Sequence, residues 1–164
     1  GGGRAPRRSQ ERLIAMLTIT ADDKTYRASL ANLYRGMGDL TSVMQSIGME
    51  LESRISGRFE SRTDPNGSAW APWAQSTVDG YPEGGNRRLL DRYGDMLASL
   101  NHQADATSVR VGFGKPYAAF HEWGTEHMPR RGLLFDDPDA GTLAEGDEAA
   151  VLDIIGVWLD GLTS

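Results

Sequence analysis

The chain has 164 residues, of which 39% are hydrophobic and 24% are charged, close to the composition of an ordinary folded domain. Its 17 Lys and Arg against 23 Asp and Glu give a formal net charge of −6, which disfavours a protein whose main role is to coat nucleic acid. It has no cysteine, which excludes disulfide scaffolds, thiolate metal sites and cysteine nucleophiles. With no apolar run of the roughly 20 residues that a membrane span needs and no signal-peptide pattern, we expect a soluble intracellular product.

The first 15 residues are predicted to form a flexible basic arm, because they lack hydrophobic periodicity and contain three glycines and a proline. The arm has one acidic residue and four arginines, Arg4, Arg7, Arg8 and Arg12. The remaining residues, 16–164, carry 13 basic and 22 acidic side chains, a net charge of −9, and we expect them to form a single domain. The arm either contacts an acidic neighbour or is an extension without a role.

The first half of the domain is predicted to be a short strand over 16–20 and two helices. A capping box over Thr20–Asp23 is expected to begin the first helix. The second helix is predicted to run for about six turns after Asp39 as its N-cap, because its apolar residues recur every three or four positions: Leu40, Val43, Met44, Ile47, Leu51, Ile55 and Phe59. Its other face is expected to be solvated, with Glu50, Glu52, Arg54 and Arg58.

Residues 63–86 are predicted to be a long loop, because three prolines and four glycines are spread through them. The loop also contains Trp70, Trp73 and Tyr81, and such aromatic side chains dock either on the core or on a partner. We favour the core for Trp70 and leave both alternatives open for Trp73. The loop is therefore expected to be anchored by its tryptophans.

The second half is predicted to continue with a helical turn over 87–93, strands over 96–104 and 107–113, and helical turns over 116–123. A linker over 128–135 is expected to run into another short strand, and a second capping box, Thr142–Glu145, to begin a C-terminal helix. The order of elements predicts an α+β fold. In it a small, mostly antiparallel sheet packs with the long amphipathic helix and the C-terminal helix, beside the long Trp-bearing loop.

The segment from His121 to His127 is the densest in side chains that could bind a metal. A zinc-protease helix needs its second histidine four residues after the first, where this chain has Thr125. We therefore expect His121 to hydrogen-bond locally, Glu126 and His127 to lie on the surface, and the chain to have no catalytic residue, metal or cofactor. The alternatives are a metal-dependent accessory protein that uses this segment and a nucleic-acid-binding protein that uses the arm with Arg130 and Arg131.

Four segments of the chain, in this order and separation, carry a resemblance to a known family: 58–60, 63–72, 117–124 and 128–131. They contain the elements Asp-Pro-x-Gly-x-x-Trp-x-Pro and Tyr-Ala-x-x-His-x-x-Gly. The chain resembles the phage virion morphogenesis family over residues 16–162, a family that includes the tail-completion protein S of P2-like phages and the G protein of Mu-like phages. The positions that carry the resemblance as structural motif residues are Phe59, Asp64, Pro65, Gly67, Tyr117, His121, Gly124 and Pro129. Trp73 departs from the family, where leucine is usual.

The resemblance implies a non-enzymatic neck protein of the virion, assembled in the host cytoplasm. A ring of these subunits, a hexamer or alternatively a dodecamer, would cap the head-proximal end of the tail tube and mediate head–tail joining. Its partners would be its own copies, the tail tube protein and the head connector or stopper proteins. DNA would only pass through the lumen, and no membrane would be involved. We expect the contacts with partners to come from Arg4, Arg7, Arg8, Arg12, Trp70, Trp73, Tyr81, Arg130 and Arg131.

Overall fold

The fold is α+β, as predicted, with a small antiparallel sheet and several helices. The computed structural model describes residues 14–73, 79 and 94–163. Its elements in chain order are β1 (Met16–Thr20), α1 (Arg27–Met37), α2 (Thr41–Ser61), α3 (Asp95–Ala98), β2 (Leu100–Ala104), β3 (Ser108–Phe113), α4 (Ala118–Trp123) and α5 (Glu145–Thr163). The helical turn predicted over 87–93 and most of the second half of the predicted loop lie outside the described residues.

The sheet has the strand order β1-β3-β2, and both pairings are antiparallel. In the central strand β3, Val109 and Val111 are fully buried while Arg110 is exposed, which is the alternation expected when one face of a strand meets the core. Helix α2 packs on both β2 and β3. A Cβ atom on Gly48 would lie 2.7 Å from the His102 ring and 2.9 Å from Val109, so glycine permits the close approach of α2 to the sheet.

Helix α2 confirms the prediction from hydrophobic periodicity. It spans 21 residues, and all seven predicted apolar positions are at most 1% exposed. Asp39 precedes the N-cap residue Leu40 by one position, and its carboxylate accepts a hydrogen bond of 2.7 Å from the Thr41 N–H. A hydrogen bond from the Thr41 hydroxyl, and then this backbone bond, lower the pKa of Asp39.

Both predicted capping boxes are wrong. Helix α1 begins at Arg27, and the Thr20 hydroxyl donates instead to Asp22 at 2.6 Å. Helix α5 begins at Glu145, and Thr142 pairs with Asp137 in an isolated bridge. Short polar side chains can satisfy turn hydrogen bonds as well as helix ends, and both segments form turns before their helices.

Two strand predictions also need correction. Residues 95–98 form helix α3, so the strand expected over 96–104 begins only at Leu100. The short strand expected near residue 135 does not form in the described part of the chain, although Leu133, Leu134 and Phe135 are buried. The backbone N–H groups of these three residues bind a side chain, as described below.

The prediction that Arg58 faces solvent is wrong. Arg58 is 6% exposed and Asp147, in the first turn of α5, is 1% exposed. Their side chains form an ion pair, and Arg54 Nε donates a hydrogen bond of 2.8 Å to the same carboxylate. Arg58 also donates to the carbonyl of Leu133. Asp147 therefore joins α5 to α2, at the N-terminal end of a helix that favours negative charge.

We expect the Asp147→Asn variant to lower the free energy of unfolding by about 3 kcal/mol, because it leaves a buried guanidinium without its counter-charge. The Asp153→Asn variant changes an exposed acid on the same helix and should cost less than about 0.5 kcal/mol. Urea unfolding of both variants measures the difference. Equal unfolding midpoints would contradict a structural role of the Arg58–Asp147 pair.

Candidate assembly site

The carboxylate of Glu122 lies at the centre of the region that carries the family-like motifs. Glu122 is 0% exposed and stands on α4. Its Oε2 atom accepts hydrogen bonds from the N–H groups of Leu133 (2.6 Å) and Leu134 (3.0 Å), and its Oε1 atom accepts one from Phe135 (2.9 Å). One carboxylate thus satisfies three consecutive backbone donors, which would otherwise be buried without partners.

Arg130 completes this arrangement. Its Nε donates to the backbone carbonyl of Glu122 at 2.6 Å, and its Nη2 donates to the carbonyl of Phe135 at 2.6 Å and approaches Glu122 Oε1 at 3.3 Å. We call Glu122, Arg130 and the backbone of residues 133–135 the Glu122 hub. Burial raises the pKa of Glu122, while the three N–H donors and the Arg130 charge act in the opposite direction by stabilising the anion.

Arg131 holds the Trp-bearing loop. It is 8% exposed, its Nε donates to the carbonyl of Ala71 at 2.8 Å, and its Nη2 donates to that of Pro72 at 2.9 Å. Burial lowers the pKa of its guanidinium. The two arginines assigned above to partner contacts therefore bind their own chain. Only the exposed third of the Arg130 side chain is left for a partner, and its contact with one stays a prediction.

Trp70 lies in the core of its own subunit, with 5% exposure. Its ring meets Phe59 edge to face at 5.6 Å between centroids, and its Nε1–H donates to the carbonyl of Gly132 at 2.9 Å. Phe59 is fully buried and also contacts Phe113. Trp73 is half-buried and packs against the same core. The loop is anchored at Trp70, and a partner contact of either tryptophan stays a prediction.

The segment between α2 and Trp70 is a tight turn closed by Asp64. The Asp64 carboxylate accepts from the N–H groups of Asn66 (2.9 Å) and Ser68 (3.0 Å). Gly67 has φ +87°, a left-handed conformation that favours glycine. The half-buried Pro65 lies beside Gly132, since a Cβ on that glycine would be 3.3 Å from Pro65 Cδ. These motif residues set the path of the chain from α2 to the Glu122 hub.

His121 was expected to hydrogen-bond locally, and its Nδ1 atom makes no such bond with any described residue. That atom is buried and has no hydrogen-bond partner among the described residues, whereas the His121 carbonyl accepts from the N–H of Arg131 at 2.9 Å. Burial, and then the charge of Arg131, lower the pKa of His121 to about 4. At neutral pH the imidazole is therefore uncharged.

Gly124 ends α4 and allows the chain to return towards the Glu122 hub. Its φ is +75°, and a Cβ atom there would lie 3.0 Å from the Arg130 nitrogen. Thr125 and Met128 pair across the turn that follows, and Pro129 beyond it is exposed. Gly124 therefore makes room for the backbone that carries Arg130 and Arg131.

The outer face of α4 carries two exposed aromatic side chains. Tyr117, at the N-cap of α4, is 40% exposed and Phe120 is 54% exposed, whereas Ala118, Ala119 and Glu122 are buried. Residues three apart lie on one side of a helix, so Tyr117 and Phe120 share a face. We call them the α4 aromatic pair. Exposed aromatic clusters of this kind are typical of protein contact sites.

The geometry gives no support to a metal centre at His121–His127. Glu122 is engaged by backbone donors, and Glu126 and His127 are exposed, as predicted. No group of three His, Asp or Glu side chains is arranged to hold an ion in residues 14–73, 79 and 94–163. Within the same residues, no helix has the length and apolar character needed to cross a bilayer.

Five of the predicted contact residues lie outside the described residues: Arg4, Arg7, Arg8, Arg12 and Tyr81. The structural roles of Glu122 and Asp147 were not predicted from the sequence. For Glu122 a signal was present, because it falls three and four residues after Ala119 and Ala118 on the apolar side of a short helix. An acidic residue on the apolar face of a helix indicates that its carboxylate is buried with a hydrogen-bonding or charged partner.

We expect the Glu122→Gln variant to lose about 2–3 kcal/mol of unfolding free energy, because an amide NH₂ group cannot accept hydrogen bonds from backbone donors. The matched control is Glu126→Gln, four residues further along and exposed. Urea unfolding followed by tryptophan fluorescence measures both variants. A loss in Glu122→Gln no larger than in the control would contradict the hub.

His121 is expected to make stability depend on acidity. Above pH 6.5 the imidazole is neutral in both the folded and the unfolded chain, so it has no effect. As the pH is lowered from 6.5 to about 4, the imidazole takes up a proton in the unfolded chain but stays neutral in the folded one. The free energy of unfolding therefore decreases over this range by a total of about 3 kcal/mol. Below about 4 no further loss arises from this group.

The His121→Gln variant should therefore lose less stability than the original chain between pH 6.5 and 4. Urea unfolding at a series of pH values measures the two slopes, and comparing the two chains cancels the contributions of other titrating groups. Parallel slopes would show that His121 is not protonated differently in the two states.

A comparison with models of protein families finds a match to the phage virion morphogenesis family over residues 21–160. No curated protein and no solved structure matches the chain. The matched range includes the long helix α2, the Trp70 turn, the Glu122 hub and most of α5. The match confirms the resemblance carried by the four motif segments: the chain belongs to the phage virion morphogenesis family.

Proposed function

We propose that this protein is a non-enzymatic neck component of the phage virion. Copies of the chain assemble into a ring that caps the head-proximal end of the tail tube and joins the tail to the head. The family supports the broader role in virion assembly. The ring, its position and its neighbours are the proposal.

The observation that carries the proposal is the division of α4 into two faces. Its inner face places Glu122 in the hub, where the carboxylate is occupied by the protein's own backbone. Its outer face presents the α4 aromatic pair to solvent. The charged side chain of α4 thus stabilises the fold, and the α4 aromatic pair is free to contact another protein. An assembly protein needs this division, because its contacts must be presented by a rigid support.

The α4 aromatic pair is well placed to act as an anchor between subunits. Large aromatic side chains contribute much of the energy of protein interfaces when a partner removes them from water. In a closed ring each subunit uses two different surfaces, one towards each neighbour. We assign the α4 aromatic pair to one of them.

The charge of the chain supports a lumen through which DNA passes without binding. Residues 132–164 contain eight acidic residues and no Lys, Arg or His. Asp147 is buried in its ion pair, which leaves Glu145, Glu148, Asp153 and Asp160 as the acids that α5 exposes fully or in part. If α5 lines the lumen, these acids repel phosphate groups and reduce friction on the passing duplex. The preferred ring is a hexamer, with a dodecamer as the alternative.

The test is the mass and shape of the purified chain, alone and mixed with tail tubes, by light scattering and negative-stain imaging. We expect closed rings in solution or monomers that become rings at one end of each tube. The Phe120→Glu variant should reduce ring formation or tube capping at least tenfold, because it places a charge in a desolvated contact.

The matched control is Met49→Glu, which changes another apolar side chain that is 63% exposed, on α2. It should leave ring formation within about twofold of the original chain if the contact lies on α4. A chain that stays monomeric and does not bind tubes would overturn the capping role. Rings that tolerate Phe120→Glu would overturn the assignment of the α4 aromatic pair alone.

A further inference from the structure

An open groove of about 1220 Å³ runs along the outer side of β1. Its lining includes Ile14, Met16 and Thr18, the loop of residues 138–143, and the aromatic residues Trp123 and Phe135. The groove lies apart from Tyr117 and Phe120, which do not line it.

The backbone of β1 faces this groove with unused hydrogen-bonding groups. The Ala15 carbonyl accepts from Phe113, and the Ala21 N–H donates to Thr107. In an antiparallel pair, alternate residues bond to the partner strand, so Met16 and Thr18 direct their N–H and C=O groups away from β3. No described residue pairs with these groups, and β1 is an edge of the sheet. An extended segment could therefore add to β1 as a fourth strand.

The groove is negatively charged. Asp23, Asp139 and Glu148 line it, against Arg110 as the only basic side chain among its lining residues. Tyr26, which also lines the groove, has its pKa raised by burial and then by the charges of Glu148 and Asp23. Carboxylates beside an aromatic ring are suited to guanidinium groups, which bind acids and stack on such rings. Trp123 is the half-buried aromatic residue of the groove, whereas Tyr26 and Phe135 are buried.

We propose that this groove receives the arginine-rich N-terminal segment, residues 1–13, of a neighbouring copy of the chain. The inference rests on the proposed ring and identifies a second contact between its subunits, besides the α4 aromatic pair. The segment has four arginines and one glutamate, so its charge is opposite to that of the groove. Thirteen residues reach at most about 45 Å, enough to cross from one subunit to the next.

The occupant is assigned to a neighbour because the chain enters β1 at the groove itself. To occupy its own groove through a tight hairpin, the chain would reverse at Leu13-Ile14. Two-residue hairpin turns favour Gly, Asn or Asp, and isoleucine strongly disfavours the positive φ that they require. Exchange of the segment between copies avoids this turn and links each subunit to the next.

Disulfide trapping tests the proposal directly, because the chain has no cysteine of its own. One preparation carries Arg8→Cys, and a second, with a tag that changes its mass, carries Ala140→Cys in the exposed wall of the groove. After mixing and mild oxidation, we expect the disulfide-linked heterodimer of the two variants to form in higher yield than the linked homodimer of either variant. Their yield should fall several-fold at high salt, because the attraction is electrostatic and screened.

Two controls fix the site. Asp153→Cys replaces an exposed acid of α5 outside the groove, and it should trap Arg8→Cys several-fold less than Ala140→Cys does. In the Ala140→Cys chain, an added Glu148→Arg change should lower trapping, whereas Asp153→Arg should not. Equal trapping at Ala140 and Asp153 would overturn the proposal.

A single chain that carries both Arg8→Cys and Ala140→Cys separates the two ways of filling the groove. Linked multimers are expected, and a product of one-chain mass alone would overturn exchange between copies. Imaging of the same samples distinguishes this failure from that of the ring. Rings without trapping would overturn only the groove contact, and trapping without rings would overturn only the capping role.

Discussion

The structure depends on one buried carboxylate that takes the place of a neighbouring strand. Residues 133–135 are an apolar segment inside the protein, and their N–H groups need acceptors. Glu122 provides them from the end of a six-residue helix. A carboxylate is the only side chain with enough acceptor sites for this task. The position of α4, the course of the chain after Gly124 and the site where Trp70 binds Gly132 all depend on this group.

Other charged side chains hold the fold together at two further places. Arg58 and Asp147 join the two long helices, and Arg131 fixes the carbonyl groups that follow Trp70. Each of these charged groups contacts a backbone atom or an opposite charge, and this contact replaces the water that the group lost on folding. The family-like motifs therefore record how the chain folds, whereas the association surfaces that we propose are exposed side chains and the edge of the sheet. This distinction explains why motifs rich in ionisable residues occur in an assembly protein.

The sequence predicted best those elements whose signal is repeated along the chain. Helix α2 has seven apolar residues at regular spacing, and the centre of β3 alternates, so both were correctly predicted. Residues 128–135 were predicted to be a linker that runs into a short strand, but the N–H groups of residues 133–135 bond to a side chain 11 to 13 residues away. Arg58 was predicted to face solvent, because the periodicity of one helix contains no information about its neighbours. Asp147, in the first turn of α5, is the acid that pairs with it. Long-range pairing of single charged groups leaves no periodic pattern in the sequence. The wrong predictions for Arg58 and for residues 133–135 both arise from such pairing.

The close approach at Gly48 has a mechanical consequence. Helix α2 touches the sheet there and reaches Arg58 ten residues later, about 15 Å along its axis. A helix of 21 residues without a proline behaves as a stiff rod over this distance. Because the sheet holds one part of this rod and the buried charges hold another, force applied to the strands is transmitted to the opposite side of the subunit instead of being absorbed locally. Helix α2 thereby acts as a stiff strut between the sheet and the buried ion pair.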